Sequence, residues 1–332
     1  MEKMYEIIRE IKENQNIIVA GHIMPDGDCI SSVLSLSIAL ERLGKQVLSI
    51  VDYDIPYQYS QLEEVARIRK VDDVINSIDS CDLIIVLDSS SPDRVGKLQD
   101  FLSSKKTIVI DHHITNENFG DLNWVDDSFS SAAQMIYRLN RSMNVTYDSK
   151  LATINLMGIA TDTGFFRYPN TTSEVFKDAY ELSLLGGNIW FISQMILENN
   201  KPERLKLFAH VIENMEFSNE GRFVHSVIKY EDFQRFNCTE EDSSGFVSDL
   251  RAIRGVEVAV LVIEYPKEQV HVSMRSKNSF DVSKIAKMLG GGGHPRAAGC
   301  SFKDSKVEEV REIVVKEISK ILKDLKVIDE ER

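Results

Sequence analysis

Short apolar segments alternate with helix-like segments along the first half of the chain. The apolar segments have the length of buried strands, and each ends in polar residues: IIVAGH (17–22), VLSIVD (47–52), LIIVLDSS (83–90) and TIVIDHH (107–113). Continuous apolar strands that alternate with helices are typical of a parallel sheet with helices on both faces. The first half of the sequence therefore predicts an α/β domain built on a parallel sheet.

The pattern becomes helical from Ser130 to about Glu216 and then returns to strands. Later strand-like segments lie at 223–230, 256–265 and 269–276, and helices are predicted near 245–254 and 281–289. Gly-Gly at 186–187 is a boundary signal. We predict three parts: a catalytic α/β domain over residues 1–187, a helical linker over 188–217 and a smaller C-terminal α/β domain over 218–328.

Composition indicates a globular protein outside the membrane. Hydrophobic residues make up 43% of the chain and charged residues 27%. No stretch approaches the roughly 20 apolar residues that a membrane-spanning helix needs. The first residues mix both charge signs and lack the design of a signal peptide. The four cysteines lie far apart and predict neither disulfides nor a zinc knuckle, which fits a reducing compartment. We therefore predict a cytoplasmic protein with no membrane partner.

The net charge of −13 argues against a long nucleic acid as a partner. Proteins that hold long nucleic acids usually spread a basic surface along the path of the backbone. Here the basic residues are interleaved with acidic ones. An anionic substrate is therefore expected to be small and bound locally.

Acidic residues and histidines collect where the predicted strands end. His22 ends the first strand, Asp26 and Asp28 follow in the turn to a helix, and Asp88 ends LIIVL. Further members of this pattern are Asp111, His112, His113 and, after an apolar helix, Asp162. Each alone could be a helix cap or a solvated turn. A carboxylate at the end of a buried strand is costly without a positive partner, however, and ligands bind at this edge of such sheets. Together these residues predict a metal site.

Two histidines and four aspartates suit a pair of oxygen-rich divalent ions, most simply Mn²⁺, with Mg²⁺ or Co²⁺ as alternatives. The predicted ligands are His22, Asp26, Asp28, Asp88, His112 and Asp162. Two ions roughly 3.5–4 Å apart bind the attacking and leaving oxygens of a phosphoryl group and lower the pKa of the water between them. Asp88 lies in the middle of the set and is our choice for the bridging ligand. The site therefore predicts a phosphoesterase.

The segments HIMPDGD, LDSS, DHH and ATDTG, in that order, resemble the four motifs of the DHH-type phosphoesterases. GGGGHPRAAG resembles the glycine-rich motif of the DHH-associated C-terminal domain. The resemblance covers residues 15–325. It implies that one ion is held by His22, Asp26 and Asp88, and the other by Asp28, Asp88, His112 and Asp162. It also implies that His113 contacts the scissile phosphate and that Asp111 orients a neighbouring histidine.

The glycine run has a physical interpretation of its own. Glycines at 290–293 allow backbone N–H groups to approach an anion closely, and His294 and Arg296 add donors. The alternative is a flexible turn between a helix and a strand. By resemblance, Arg275 and His294 are substrate-binding residues. The full predicted substrate-binding set is Arg275, Gly291, Gly292, Gly293, His294 and Arg296.

The C-terminal domain separates the branches of the resembled family. Inorganic pyrophosphatases of this type lack the GGGGH run, and RecJ-like single-strand 5′–3′ exonucleases are usually much longer. The chain thus resembles the nanoRNase branch, whose members hydrolyse very short RNA, pApA and in some cases 3′-phosphoadenosine 5′-phosphate or cyclic di-AMP. We predict hydrolysis of pApA and similar oligonucleotides to mononucleotides. A RecJ-like exonuclease and a non-catalytic nucleotide-binding protein are the alternatives. The resemblance also implies a homodimer.

Overall fold

The computed structural model describes residues 2–266, 269–278 and 280–330, with side chains described as far as residue 323. The chain divides into two compact units, residues 1–199 and 200–332. Of the helices described, none combines the length and the apolar character needed to cross a membrane.

The first unit alternates strands and helices before it becomes helical. Its strands are β1 (Asn16–Ala20), β2 (Gln46–Ile50), β3 (Leu83–Leu87), β4 (Lys106–Asp111) and β5 (Leu122–Val125). Its helices are α1 (Glu2–Glu13), α2 (Gly27–Arg42), α3 (Val71–Ile78), α4 (Gln99–Leu102), α5 (Ala132–Ser142), α6 (Ser149–Asp162), α7 (Ser173–Leu184) and α8 (Ile189–Leu197).

The five strands form one parallel sheet in the order β2-β1-β3-β4-β5. Neighbouring residues of β3 face different cores, since Ile85 packs with residues of α1, α2 and α5, whereas Ile84 packs with residues of α3. Both faces of the sheet are therefore covered, and the predicted architecture is confirmed. Strand β2 pairs with one edge of β1, and β3, which follows β2 in the sequence, pairs with the opposite edge. The topological switch point of the sheet consequently lies between β1 and β3.

Close packing of α2, α5 and α6 sets the positions of their ends. A Cβ atom on Gly158 of α6 would lie 2.4 Å from Cβ of Ala133 and 2.7 Å from Oγ of Ser31, so that only glycine allows this approach. The buried Oγ of Ser31 donates to the carbonyl oxygen of Ile154 over 2.5 Å. The N-terminus of α2 lies equally close to the end of α6, because a Cβ on Gly27 would lie 2.5 Å from Cγ2 of Thr161.

The second unit is a smaller α/β structure. Its strands are β6 (Glu216–Ser218), β7 (Phe223–Ile228), β8 (Val258–Tyr265), β9 (Gln269–Ser276), β10 (Gly292–His294) and β11 (Ala297–Phe302). Its helices are α9 (Pro202–Glu213), α10 (Tyr230–Phe236), α11 (Phe246–Ala252), α12 (Val282–Met288) and α13 (Val307–Glu330). The sheet has the order β10-β11-β9-β8-β7-β6, in which β7 and β8 are parallel and the other neighbours are antiparallel. Apolar cores cover both of its faces.

The boundary between the two units falls inside the predicted linker, residues 188–217. Helix α8 packs on α6 in the first unit, whereas α9 packs on α10 and β7 in the second. Both linker helices thus have apolar contacts within a unit: Ile192 belongs to the first core and Leu207 to the second unit. The helices are where the sequence predicts them, but each packs with one of the two units rather than forming a separate segment.

All four cysteines are free thiols, as their spacing predicts. Cys29 is fully buried, and its Sγ lies 3.8 Å from the carbonyl oxygen of His22. A Cβ on Gly21 would lie 2.4 Å from the same sulfur, which leaves no room for a larger side chain at position 21. Cys29 is therefore a packing residue beside the metal motif. The cytoplasmic location of the protein remains a prediction.

Candidate metal centre

The predicted ligands lie at the carboxyl edge of the first sheet, around its switch point. His22 follows the end of β1 by two residues, and Asp88 comes directly after β3. Asp111 is the last residue of β4, and His112 follows it. Because β1, β3 and β4 are neighbours in a parallel sheet, their carboxyl ends present these side chains side by side.

Helix N-termini fix two of the aspartates. Asp26 is the N-cap of α2, and its Oδ1 accepts hydrogen bonds from the backbone N–H groups of Asp28 and Cys29. The carboxylate of Asp28 is 1% exposed and accepts from the backbone N–H groups of Ala132 and Ala133 over 2.7 and 2.8 Å. Those two groups open α5, whose N-terminus therefore stabilises the negative charge of Asp28.

Asp88 lies between the imidazoles of the site. Its Oδ2 is 3.4 Å from Nε2 of His22, and its Oδ1 is 3.5 Å from Nε2 of His112 and 3.6 Å from Nδ1 of His113. The residue has a left-handed φ of 54°, and its N–H donates to the carbonyl oxygen of Ile110. Its buried Oδ1 accepts no hydrogen bond from the residues that the structure describes. An orphaned carboxylate oxygen of this kind fits a metal ligand.

All six predicted ligands come together in two adjoining groups. In each group the ligand atoms lie within 4.8 Å of one another. One group is His22, Asp26 and Asp88, and the other is Asp28, His112 and Asp162. Asp88 contacts the histidines of both groups through its two oxygens. The six side chains thus form a cluster of carboxylates and imidazoles that fits the binding of divalent metal.

The ionisation of the cluster reflects a shortage of positive charge. Burial raises the pKa of Asp162 to about 6, and the charge of His112 only partly offsets this effect. Burial, followed by the charge of Asp88, also raises the pKa of Asp28. Burial acts to lower the pKa of His112, but the contact with Asp88 and the charge of Asp162 outweigh it and raise the pKa to about 10. Four carboxylates face two imidazoles, so that divalent cations would supply the charge that the side chains lack.

The second histidine of the DHH motif, His113, forms its shortest contact with Asp111. Nδ1 of His113 donates to Oδ1 of Asp111 over 2.7 Å, and the carboxylate of Asp111 is fully buried. Nδ2 of Asn116 donates to Oδ2 of Asp111 over 2.6 Å and to the carbonyl oxygen of Ser89 over 2.9 Å. Asn116 thus ties the loop after β4 to the loop after β3. Asn116 is not among the residues predicted from the sequence, where its one signal is its place in the polar segment after DHH.

The sequence matches the DHH family, N-terminal domain, over residues 16–159 and the DHHA1 domain over residues 220–324. It is 34% identical over 326 residues to the bifunctional oligoribonuclease and PAP phosphatase NrnA of Thermus thermophilus. The alignment covers 96% of this chain and 95% of that protein. The chain belongs to the DHH family.

A second curated relative and a solved structure are also similar to the chain. The bifunctional oligoribonuclease and PAP phosphatase NrnA of Bacillus subtilis is 31% identical over 301 residues, with 90% of this chain and 92% of that protein covered. The crystal structure of an exopolyphosphatase-related protein from Bacteroides fragilis has a TM-score of 0.87 at 24% identity and covers 97% of this chain and 98% of that one. This last likeness shows the fold alone. The family resemblance of the motifs is confirmed.

The residues predicted to bind substrate in the DHHA1 domain lie at one end of its sheet. Arg275 on β9 pairs with Ala297 on β11, and Ala297 pairs with His294 on β10. Residues directly opposite one another in antiparallel strands point to the same face. Arg275 and His294 therefore share a face of the sheet. Nη1 of Arg296 instead donates to the carbonyl oxygen of Phe280 over 2.6 Å and supports the loop before α12.

Part of the glycine run of the DHHA1 domain, Gly292 and Gly293, belongs to strand β10 of this sheet. A Cβ on Gly291 would lie 2.1 Å from the carbonyl oxygen of Gly299. Gly293 has a φ of +133°, and its Cβ would lie 2.6 Å from the carbonyl oxygen of Ala297. Both glycines are explained by close packing on β11. Around Gly292, by contrast, no described atom lies within 4 Å of an added Cβ, so that the space on this side of the strand is open. Anion binding by the run remains a prediction.

Proposed function

We propose that the chain is a metal-dependent phosphodiesterase that hydrolyses pApA and other very short oligonucleotides to mononucleotides. The observation that carries this proposal is the joint position of His22, Asp26, Asp28, Asp88, His112 and Asp162 in two adjoining groups around the orphaned oxygen of Asp88. The relatives named as oligoribonucleases support the substrate class. Cyclic di-AMP and 3′-phosphoadenosine 5′-phosphate are further candidate substrates.

We propose that two divalent cations, most simply Mn²⁺, bind at this cluster, with Mg²⁺ or Co²⁺ as alternatives. His22, Asp26 and Asp88 would hold one cation, and Asp28, Asp88, His112 and Asp162 the other. Such a pair supplies the Lewis acidity that activates water and stabilises charge on the phosphoryl group. The uncompensated carboxylates of the cluster fit this occupancy.

The protein's own side chains would orient the substrate. Asp111 fixes the ring of His113 by accepting a hydrogen bond from Nδ1, and Asn116 fixes Asp111 in turn. We propose that Nε2 of the same His113 ring contacts the scissile phosphate. In the DHHA1 domain, Arg275 and His294 would bind a phosphate of the substrate, with Gly292 contributing its backbone. A binding site for one terminal phosphate, without further contacts along a strand, would favour short substrates over long ones.

The proposal is tested by comparing the turnover of pApA with that of an RNA of about twenty nucleotides in the presence of Mn²⁺. We expect kcat/KM for pApA to be about tenfold or more higher, because a long strand has no extended basic path on this acidic chain. Preference for the long RNA would favour the RecJ-like alternative. Tight binding of pApA without turnover would favour a nucleotide-binding protein. Cyclic di-AMP, 3′-phosphoadenosine 5′-phosphate and pyrophosphate complete the substrate panel.

We further propose that the chain forms a homodimer through α7. Phe176, Tyr180 and Leu184 are spaced four residues apart, so that they lie on one face of the helix, and they are 57%, 62% and 69% exposed. A continuous exposed apolar face of this kind is typical of an association surface, and a second copy of the chain offers the matching face.

Sedimentation velocity tests the homodimer. We expect a dimer for the unaltered protein and a monomer for Leu184→Glu, because the charge would be buried without a partner. Ser183→Glu adds the same charge at an exposed neighbouring position and is expected to leave the dimer intact. A monomeric unaltered protein, or a Leu184→Glu dimer, would contradict the proposal.

A further inference from the structure

A half-buried arginine, Arg94, lies beside the ligand cluster. Arg94 follows β3 in the segment Pro92–Leu98, and its carbonyl oxygen accepts from the N–H of Ile23 over 2.7 Å. This bond fixes Arg94 against the loop that carries His22. Nη2 of Arg94 lies 3.0 Å from Nδ1 of His22. Among the described residues, no carboxylate forms an ion pair with Arg94, although four belong to the neighbouring cluster.

When His22 binds a cation through Nε2, its Nδ1 cannot accept a hydrogen bond from Arg94. Nδ1 of His22 also lies 2.8 Å from the carbonyl oxygen of Ile23, and a nitrogen that faces a carbonyl oxygen has to carry a proton. A guanidinium group only donates, so that Nδ1 cannot accept from Arg94 and donate to Ile23 at the same time. Nε2 of His22 faces Asp26 and Asp88 and would be the metal-binding nitrogen. The proton of the ring is then on Nδ1, which donates its hydrogen bond to the carbonyl oxygen of Ile23.

The guanidinium group of Arg94 therefore has N–H donors and a permanent positive charge that His22 does not use, next to the proposed cation-binding cluster. Orientation of His22 does not require it, because the carbonyl oxygen of Ile23 performs that task. A positive charge at this place would also weaken cation binding rather than assist it. An arginine fork matches the oxygens of a phosphate group, which carries the opposite charge and only accepts hydrogen bonds.

We propose that Arg94 is a phosphate-binding residue that contacts a non-bridging oxygen of the substrate phosphate at the metal centre. The inference deepens the proposed phosphodiesterase function and rests on metal binding at His22. It assigns to the first unit a phosphate contact of its own, distinct from the predicted contacts of Arg275 and His294.

The test uses inorganic phosphate as the probe, because phosphate binding does not depend on which ester the enzyme hydrolyses. Calorimetric titration of phosphate into the Mn²⁺-loaded protein is compared for the unaltered chain, Arg94→Gln and Arg94→Lys, and Mn²⁺ affinity is measured for each. We expect Arg94→Gln to weaken phosphate binding about tenfold or more and Arg94→Lys to recover part of the loss, since a charge-assisted hydrogen bond is removed in the first and kept in the second. Mn²⁺ affinity should stay within about threefold of the unaltered value.

Lys97→Gln is the matched control, because it removes a positive charge from the same segment where the amine pairs with Asp72 at the surface. Unchanged phosphate binding in Arg94→Gln, a loss of equal size in Lys97→Gln, or the absence of phosphate binding by the unaltered protein would overturn the proposal. A parallel loss of Mn²⁺ affinity would also overturn it, because Arg94 would then position His22. If the unaltered protein binds phosphate but does not hydrolyse pApA, the proposed substrate is wrong and the role of Arg94 is still decided.

Discussion

Asp88→Asn is expected to reduce kcat for pApA about 10³-fold or more while leaving the fold intact. Asp88 contacts the imidazoles of both ligand groups, through Oδ2 to His22 and through Oδ1 to His112. An asparagine has the same size but supplies neutral oxygen and nitrogen in place of the shared carboxylate. The pair of cations would therefore lose its common ligand, and we expect Mn²⁺ binding to fall together with kcat.

The control for this prediction is Asp100→Asn, the same chemical change at an exposed position of α4. Its turnover of pApA should equal that of the unaltered protein. Thermal unfolding of both variants after chelation separates a loss of chemistry from a loss of folding. Undiminished hydrolysis by Asp88→Asn would show that the reaction does not take place at this cluster.

Removal of the metal is expected to abolish turnover and to make the stability of the protein fall as the pH rises. In the metal-free protein, the pKa values of Asp162 (about 6) and His112 (about 10) lie above their ordinary values of 3.8 and 6.5. The folded state thus binds these protons more tightly than the unfolded state. The stabilisation from Asp162 is complete below pH 3.8 and is lost as the pH rises through about 6. The stabilisation from His112 is complete below pH 6.5 and is lost as the pH rises through about 10.

Thermal unfolding between about pH 5 and pH 10 measures this effect. The Tm of chelated protein should decline over the range, and the Tm of Mn²⁺-loaded protein should decline less, because the cations replace the protons. Apparent Mn²⁺ affinity should rise with pH for the same reason. Asp162→Asn should remove the part of the decline near pH 6 in the chelated protein. Equal pH profiles with and without Mn²⁺ would contradict the proposed ligand set.

The sequence was sufficient to predict the sheet and the cluster, because both depend on local patterns. Continuous apolar strands marked β1, β3 and β4, and parallel order places their carboxyl ends at one edge. A carboxylate that is buried at the end of a strand, such as Asp88, costs free energy unless a positive group pairs with it, so that the sequence alone predicts a partner. These features need no knowledge of how distant segments pack. The division of ligands between two cations came from the family resemblance and remains a prediction.

Other features depend on contacts that no local pattern reports. The short edge strand β5 was missed because Leu122–Val125 is too short for a distinct pattern. Asn116 and Arg94 are ordinary loop residues in the sequence, and only folding brings them to Asp111 and His22. The sequence predicts α8 and α9 as one helical linker and does not indicate with which unit each helix packs. Their partners, α6 and α10, decide to which unit each belongs.

The confinement of all six proposed metal ligands to the first 162 residues has an evolutionary consequence. The hydrolytic chemistry of this chain would be a self-contained module, since none of its proposed ligands belongs to the DHHA1 domain. Mutations in that domain can then alter which phosphorylated molecule is recognised without disturbing the apparatus that breaks the bond. Such modularity would let a single ancestral hydrolase diversify its substrates by changing one half of the gene while selection preserves the other.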